Sequence, residues 1–87
     1  MKKKIDFTKV AIENIDGSFE TADLAKALGN AIWVQAKSLE VSELGRKIWR
    51  DGDVEVSNDE IAILNEMIPS IFPSYIVKKA LLDLLND

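Results

Sequence analysis

The sequence predicts a small single α+β domain in the order ββααβαα, with a β-hairpin and a short third strand packed against four helices. Three observations support this fold class. Asp16-Gly17 separates two β-favouring runs, which is a strong hairpin signal because a tight type I′ turn requires positive φ. The apolar spacing becomes helical after about Ala22. Finally, 87 residues with 47% hydrophobic and 30% charged content have the composition of one folded domain.

The predicted hairpin joins residues 9–15 to residues 18–21 through a two-residue loop, so that Ile15 pairs with Ser18. One face of this hairpin is expected to meet the core because its residues share the same alternation. The residues on that face are Val10, Ile12, Asn14, Phe19 and Thr21.

The residues before the hairpin do not share its alternation. Ile5 and Phe7 have the opposite parity, which leaves two readings: a bulge near Thr8, or a different surface for this first segment. No internal repeat, linker or low-complexity segment is recognised. Residues 1–87 are therefore expected to form one domain, with residues 1–4 flexible.

Two helices are predicted in the middle of the chain. The first begins near Ala22 and extends toward Leu39. Gly29 inside it indicates close approach by another backbone or a slight bend, because glycine in a helix costs about 1 kcal/mol relative to alanine. The second runs from about residue 42 to residue 50, and Gly52 is placed to end it.

A short strand over residues 53–56 and two more helices follow. The third helix begins at Ser57 and is expected to stop at Pro69, because proline lacks the amide hydrogen that a helix interior requires. The last helix, from about Ser74 to Leu85, is apolar around most of its circumference. It is expected to be either the central core helix or part of a homodimer interface.

The segment RDGDVEVSNDE, residues 50–60, carries five acidic residues and a glycine and resembles a calcium loop. A helix-loop-helix calcium site needs glycine at its sixth position and a bidentate glutamate at its twelfth. Counting from Asp51 or from Asp53 places neither residue there. Ser57 and Glu60 instead match a capping box that starts a helix. No metal site is predicted.

Composition excludes several classes of site. The absence of Cys and His removes thiolate and imidazole zinc sites, disulfides, cysteine nucleophiles and histidine bases. No phosphate-binding glycine loop or nucleophile motif occurs, and so small a domain has little room for a deep cleft. We expect a non-enzymatic protein without a cofactor. Without a signal-peptide pattern or an apolar run near the roughly 18 residues of a membrane span, we also expect it to be cytoplasmic.

The leading functional expectation is a protein-protein interaction or accessory module with an unidentified protein partner. Large apolar side chains supply its candidate contacts, although a core position is the favoured alternative for several of them. The candidates are Trp33, Trp49, Ile71, Phe72, Leu82 and Leu85. A homodimer through the last helix is a second option.

Basic residues suggest an alternative function, a nucleic-acid accessory protein. Two clusters are candidates for phosphate contacts: Lys2, Lys3 and Lys4, and then Arg46, Lys47 and Arg50. Trp49 beside the second cluster could stack on a base. The net charge of -4, and the acids of the third helix such as Asp59 and Glu66, argue against a DNA-binding surface.

The order of three short motifs resembles that of a group of small uncharacterised phage and prophage proteins. The motifs are LGNAI at residues 28–32, LGRKIW at residues 44–49 and DGDVEV at residues 51–56, and the resemblance covers residues 4–86. It implies an accessory protein of a mobile element that acts in virion assembly or host takeover by contacting other proteins. It carries over no catalytic or binding residue.

Overall fold

The computed structural model describes residues 2–86, and this part of the chain forms four strands and four helices. The strands are β1 (Lys2–Asp6), β2 (Val10–Glu13), β3 (Phe19–Ala22) and β4 (Asp53–Ser57). The helices are α1 (Ala25–Gln35), α2 (Leu39–Asp51), α3 (Asn58–Ile71) and α4 (Tyr75–Asn86). The α+β class, the hairpin and the order of the later elements are confirmed, and the structure adds one strand at the start.

The strands form two separate antiparallel sheets of two strands each. β2 pairs with β3 as a hairpin, whereas β4 pairs with β1. Residues 2–4 therefore lie in a paired strand instead of a flexible arm, and Met1 lies outside the described residues. Ile5 and Phe7 are buried in the same core as Val10. Their opposite parity arises because β1 belongs to a different sheet from β2.

The hairpin has a three-residue loop, not the predicted two-residue loop. The Asn14 amide donates to the Ser18 carbonyl at 2.7 Å, and Gly17 has a φ of 88°. Residues 15–17 thus form the loop, an arrangement in which a glycine bulge follows the turn. The register changes by one residue as a result, and Phe19 turns outward with 65% of its surface exposed. The predicted core position of Phe19 is wrong for this reason.

Only residues 36–38 separate α1 from α2, and so short a connection makes the two helices antiparallel neighbours. Ser38 caps α2, since its Oγ accepts a hydrogen bond from the Val41 amide at 3.3 Å. The cap places the helix start at Leu39, a residue that the apolar spacing alone had assigned to α1.

The acidic segment ends α2 and begins α3, as predicted. Gly52 has a φ of 73°, and its amide donates to the Ile48 carbonyl at 2.9 Å. The Ser57 amide donates to Glu60 Oε1 at 2.9 Å, and the Glu60 amide donates to Ser57 Oγ at 3.2 Å. The capping box is confirmed. Among residues 2–86, no cluster of acidic side chains has the arrangement of a metal site.

α3 continues past Pro69 to Ile71, so the predicted stop at Pro69 is wrong. The proline lies in the last turn, where it removes a single helical hydrogen bond. The Phe72 amide closes the helix by donating to the Ile68 carbonyl at 3.1 Å. Ile71 and Phe72 therefore lie at a helix end, where both are half-buried against the core.

One apolar core receives side chains from every described helix and from every strand except β3. Its members are Ile5, Phe7, Val10, Ala25, Leu28, Ile32, Leu44, Ile48, Val54, Val56, Leu64, Ile68, Leu81 and Leu85. α4 is thus a core helix. Across residues 2–86, no helix has both the length and the apolar character needed to cross a membrane.

Candidate functional site

α1 and α2 cross at two glycines that contact each other. A Cβ atom built on Gly29 would lie 2.6 Å from the Gly45 carbonyl oxygen and 2.6 Å from the backbone nitrogen of Trp49. A Cβ atom built on Gly45 would lie 2.8 Å from the Gly29 carbonyl oxygen and 2.9 Å from the backbone nitrogen of Trp33. No side chain fits at either position. The close backbone approach predicted at Gly29 is confirmed, and Gly45 is its counterpart.

A sequence repeat underlies this crossing. LGNAIW at residues 28–33 and LGRKIW at residues 44–49 share Leu, Gly, Ile and Trp at the same positions. In each copy the Leu, Gly and Ile are buried and the Trp is about half exposed. Antiparallel helices that meet through the same motif are related by an approximate two-fold axis. The expectation of no internal repeat is therefore wrong.

The two glycines form the floor of a groove of about 390 Å³, which we call the tryptophan groove. Each tryptophan follows its own glycine by four residues, about 6 Å along the helix, and so lies beside the glycine of the other helix. Trp33 and Trp49 are 45% and 48% exposed. The lining residues are Gly29, Asn30, Trp33, Gly45, Arg46, Trp49 and Arg50.

A cation from the opposite helix stacks on each indole of the tryptophan groove. Lys26 Nζ lies 3.9 Å from the centre of the Trp49 ring, and Arg46 Cζ lies 4.7 Å from the centre of the Trp33 ring. Such contacts contribute about 0.5–1 kcal/mol at exposed sites. Ion pairs between described residues involve other cations: Lys4, Lys47, Arg50 and Lys79. Lys26 and Arg46 therefore carry charge that no described carboxylate neutralises in a salt bridge.

Arg50, at the edge of the tryptophan groove, forms a two-point contact with its neighbour. Its Nε and one terminal nitrogen donate to the two carboxylate oxygens of Asp51 at 3.0 and 3.1 Å. Hydrogen bonding from Arg50 holds the pKa of the Asp51 carboxyl below its ordinary value, while partial desolvation opposes this effect. Lys26 and Arg46, which stack on the two indoles, thus have no carboxylate partner among the described residues, whereas Arg50 of the groove lining already has one.

The six basic residues predicted to contact phosphate do not all face the same way. Lys3 Nζ donates to the Leu85 carbonyl at 3.0 Å, whereas Lys4, its neighbour in β1, lies 3.6 Å from Asp53. Lys47 Nζ lies 3.2 Å from Glu60 Oε2. Adjacent residues of a strand point to opposite faces, so Lys3 and Lys4 cannot both join one surface. Of the predicted set, only Arg46 and Arg50 line the tryptophan groove.

The predicted partner-binding residues divide into two groups. Trp33 and Trp49 are exposed and come together in one groove. Leu85 is 2% exposed and belongs to the core, so its prediction as a contact residue is corrected. The other three candidates are half-buried against the same core: Ile71, Phe72 and Leu82.

Sequence reasoning missed two groups that shape this site, Lys26 and Gly45. Lys26 precedes Gly29 by three residues and Trp33 by seven, and this spacing places all three on one face of α1. Gly45 occupies the second position of the second LGxxIW copy. A comparison of residues sixteen positions apart would have found both the repeat and its glycine pair.

A second surface groove, of about 540 Å³, lies between the hairpin and α4. Phe19 and Leu84 line it, together with Lys9 and Asp83, which carry opposite charges. Lys79 of α4 lies 3.9 Å from Glu13 of β2. The charges at this surface are therefore mixed, in contrast to the cations of the tryptophan groove.

No protein-family model matches the chain, and it matches neither a curated protein nor a solved structure. The function proposed below therefore rests on the residues and geometry of this chain alone.

Proposed function

We propose that the protein is a non-enzymatic interaction module that binds a protein partner in the tryptophan groove. The observation that carries the proposal is the placement of two half-exposed tryptophans, each beside the glycine of the opposite helix. Trp and Arg are the residue types that most often dominate the binding energy of protein interfaces. A concave site lined by two Trp and two Arg is thus well suited to a partner's side chain.

The folding of the domain does not account for the exposed halves of the two indoles. The buried members of both repeat copies, Leu28, Ile32, Leu44 and Ile48, lie within the core. The two tryptophans remain outside it on the same side of the helix pair. Neighbouring exposed apolar side chains rimmed by polar groups are typical of interaction sites.

α4 supplies weaker support for a docking surface than the tryptophan groove. Its apolar circumference suggested a homodimer interface, but Leu81 and Leu85 pack in the core of the single chain. Tyr75 and Ile76 are its exposed large apolar residues. The proposal therefore assigns docking to the groove. The mobile-element setting implied by the phage and prophage resemblance is compatible with such a module, and the groove does not depend on it.

The direct test is affinity capture from the native host with three forms of the protein. The wild type is compared with Trp33→Ala/Trp49→Ala and with the matched control Tyr75→Ala/Ile76→Ala, which truncates two exposed apolar side chains on α4. A protein captured by the wild type is then purified and its affinity for all three forms is measured. The proposal predicts at least about tenfold weaker binding for the tryptophan variant, because hot-spot truncations cost about 2 kcal/mol or more.

Circular dichroism establishes that each variant is folded, and the single tryptophan substitutions serve as milder variants. A purified partner that binds the tryptophan variant as tightly as the wild type but loses affinity for the α4 variant contradicts the proposal. It would move the docking surface to α4.

A further inference from the structure

We infer that the tryptophan groove binds an acidic protein segment in which carboxylates lie on both sides of one apolar side chain. This inference rests on the proposed function and specifies the chemistry of the partner. It is carried by two features of the site that are independent of each other: the glycine floor between the indoles, and the cation stacked on each indole.

The middle of the groove suits an apolar side chain. Gly29 and Gly45 line it without side chains of their own, and Trp33 and Trp49 line it as well, each next to the glycine of the opposite helix. Filling a groove lined by two indoles removes apolar surface from water on both partners, which favours binding. An aliphatic or aromatic anchor is therefore expected at the centre of the bound segment.

The ends of the groove suit carboxylates. Lys26 covers the indole of Trp49 and Arg46 covers the indole of Trp33, so a cation stands beside each wall. Neither forms a salt bridge with a described carboxylate, and the groove lining contains no acidic residue. Hydrogen bonds to charged groups are stronger than those between neutral groups. A segment with one or more acids on each side of its anchor satisfies both cations.

The charges favour this occupant over a nucleic acid and over a second copy of the chain. A single strand needs a continuous basic track for its backbone. Arg50 of the groove lining is instead paired with Asp51, and Lys47, also on α2, is paired with Glu60. Two copies joined groove to groove would bring like charges together, because each would present Lys26 and Arg46 to the other. A short acidic segment meets neither obstacle.

The repeat supplies a variant that should improve binding. Asn30 occupies the position in the first LGxxIW copy that Arg46 occupies in the second, and it is exposed in the groove lining. Asn30→Arg adds a guanidinium at the position related to Arg46 by the approximate two-fold axis. A gain of affinity in this variant cannot result from loss of folding.

The experiment measures fluorescence anisotropy at low salt with labelled ten-residue peptides. The acidic pool has two Glu or Asp on each side of a central Leu or Phe. A neutral pool replaces the acids with Ser, a third pool keeps the acids and replaces the anchor with Ser, and a single-stranded DNA decamer is the fourth probe. The protein variants are Lys26→Glu, Arg46→Glu, Asn30→Arg and the control Lys37→Glu, which makes the same charge change in the α1–α2 connection.

The acidic pool with its anchor is expected to bind the wild type most tightly. Lys26→Glu and Arg46→Glu should each weaken that binding about tenfold or more, Asn30→Arg should strengthen it about threefold or more, and Lys37→Glu should change it less than about twofold. Equal binding of the neutral pool, or no response to Asn30→Arg and Arg46→Glu, overturns the inference. Tighter binding of DNA with the same dependence on Arg46 also overturns it in favour of a nucleic acid.

The outcomes separate this inference from the proposed function. A partner or neutral peptide that needs Trp33 and Trp49 but is unaffected by the charge changes leaves the docking function standing and contradicts the acidic ligand. Self-association of the wild type that is lost in Trp33→Ala/Trp49→Ala, seen by sedimentation, identifies a second copy as the occupant and contradicts the inference. Failure of every probe together with retained partner binding by the tryptophan variant contradicts both.

Discussion

Gly29 and Gly45 meet backbone to backbone where α1 crosses α2, and each occupies the space that a side chain of the other would need. The contact brings Trp33 beside Gly45 and Trp49 beside Gly29, and both tryptophans line the same groove. The stability of the helix pair and the geometry of the candidate site therefore depend on the same two residues.

Gly29→Ala should destabilise the protein. Alanine is the better helix former by about 1 kcal/mol, but its methyl group would lie 2.6 Å from the backbone of α2, which has no flexible end that can move aside. Overpacking of this kind costs about 1–3 kcal/mol or more, and we expect a net loss of stability in urea unfolding. The neighbouring control Asn30→Ala, at an exposed helical position, should leave stability unchanged or slightly higher. Equal stability of Gly29→Ala and Asn30→Ala would contradict the close crossing.

Gly52→Ala should cost more than Gly17→Ala. Both glycines have positive φ, at 73° and 88°, so alanine is strained at either position by about 1–2 kcal/mol. A Cβ atom on Gly17 would meet open space, whereas a Cβ atom on Gly52 would collide with Thr8 Cγ2. The difference between the two unfolding free energies measures that collision. Similar losses in the two variants would show that Thr8 moves aside at no cost.

The Glu60 carboxyl at the start of α3 makes the stability of the protein depend on pH. Burial raises the pKa of its carboxyl, but hydrogen bonds from the Ser57 amide and Lys47 outweigh this effect, so the pKa lies below its ordinary value of 4.5. A carboxyl with a lower pKa in the folded state contributes stability that is present above the unfolded pKa and is lost as the pH falls through the folded pKa.

Glu60→Gln should therefore reduce the decline in unfolding free energy below about pH 5, the region where the unfolded carboxyl begins to take up protons. The measurement is urea unfolding at a series of pH values from neutral to acid. Glu66→Gln removes the same charge from an exposed position of the same helix and controls for net charge. A pH dependence for Glu60→Gln that matches the wild type would contradict the assigned hydrogen bonds.

Leu85→Ala should destabilise the protein more than Leu82→Ala. Leu85 is 2% exposed, and truncation of a buried leucine costs about 2–5 kcal/mol. Leu82 is half-buried, so its truncation leaves a smaller cavity. Thermal unfolding of both variants tests the role of α4 as a core helix. The reverse order of stability would indicate that the helix packs with its other face inward.

Local sequence signals predicted where several of the helices begin and end. The capping box, the terminating Gly52 and the four helices follow from residues that act within one or two turns of themselves. The pairing of β4 with β1 did not follow, because strand partners are chosen by contacts between segments some fifty residues apart. The hairpin register failed for a smaller reason, since the same Asp-Gly pair fits a two-residue or a three-residue loop.

The sequence predicted some residues of the candidate site but not how they come together. Trp33 and Trp49 were identified as contact residues, but apolar spacing alone could not distinguish them from Leu85, which is equally apolar and lies in the core. The distinction follows from Gly29 and Gly45, whose close contact brings the two helices together and places Trp33 and Trp49 in one surface groove. The repeat that contains both glycines is visible in the sequence. It predicts that the two glycines contact each other only if the two helices are antiparallel.

The central claim is that the two tryptophans act together as one docking site, and indole signals in a proton–nitrogen correlation spectrum test it most directly. The chain has two Trp, so the spectrum of labelled protein should contain two indole cross-peaks. Addition of the acidic peptide with a central Leu should change the chemical shifts of both indole cross-peaks, and both titration curves should fit the same dissociation constant. The amide cross-peaks of Phe19, Tyr75 and Ile76 should keep their chemical shifts. Shifts at those three amides while both indoles stay in place would contradict the claim and place binding at the hairpin and α4.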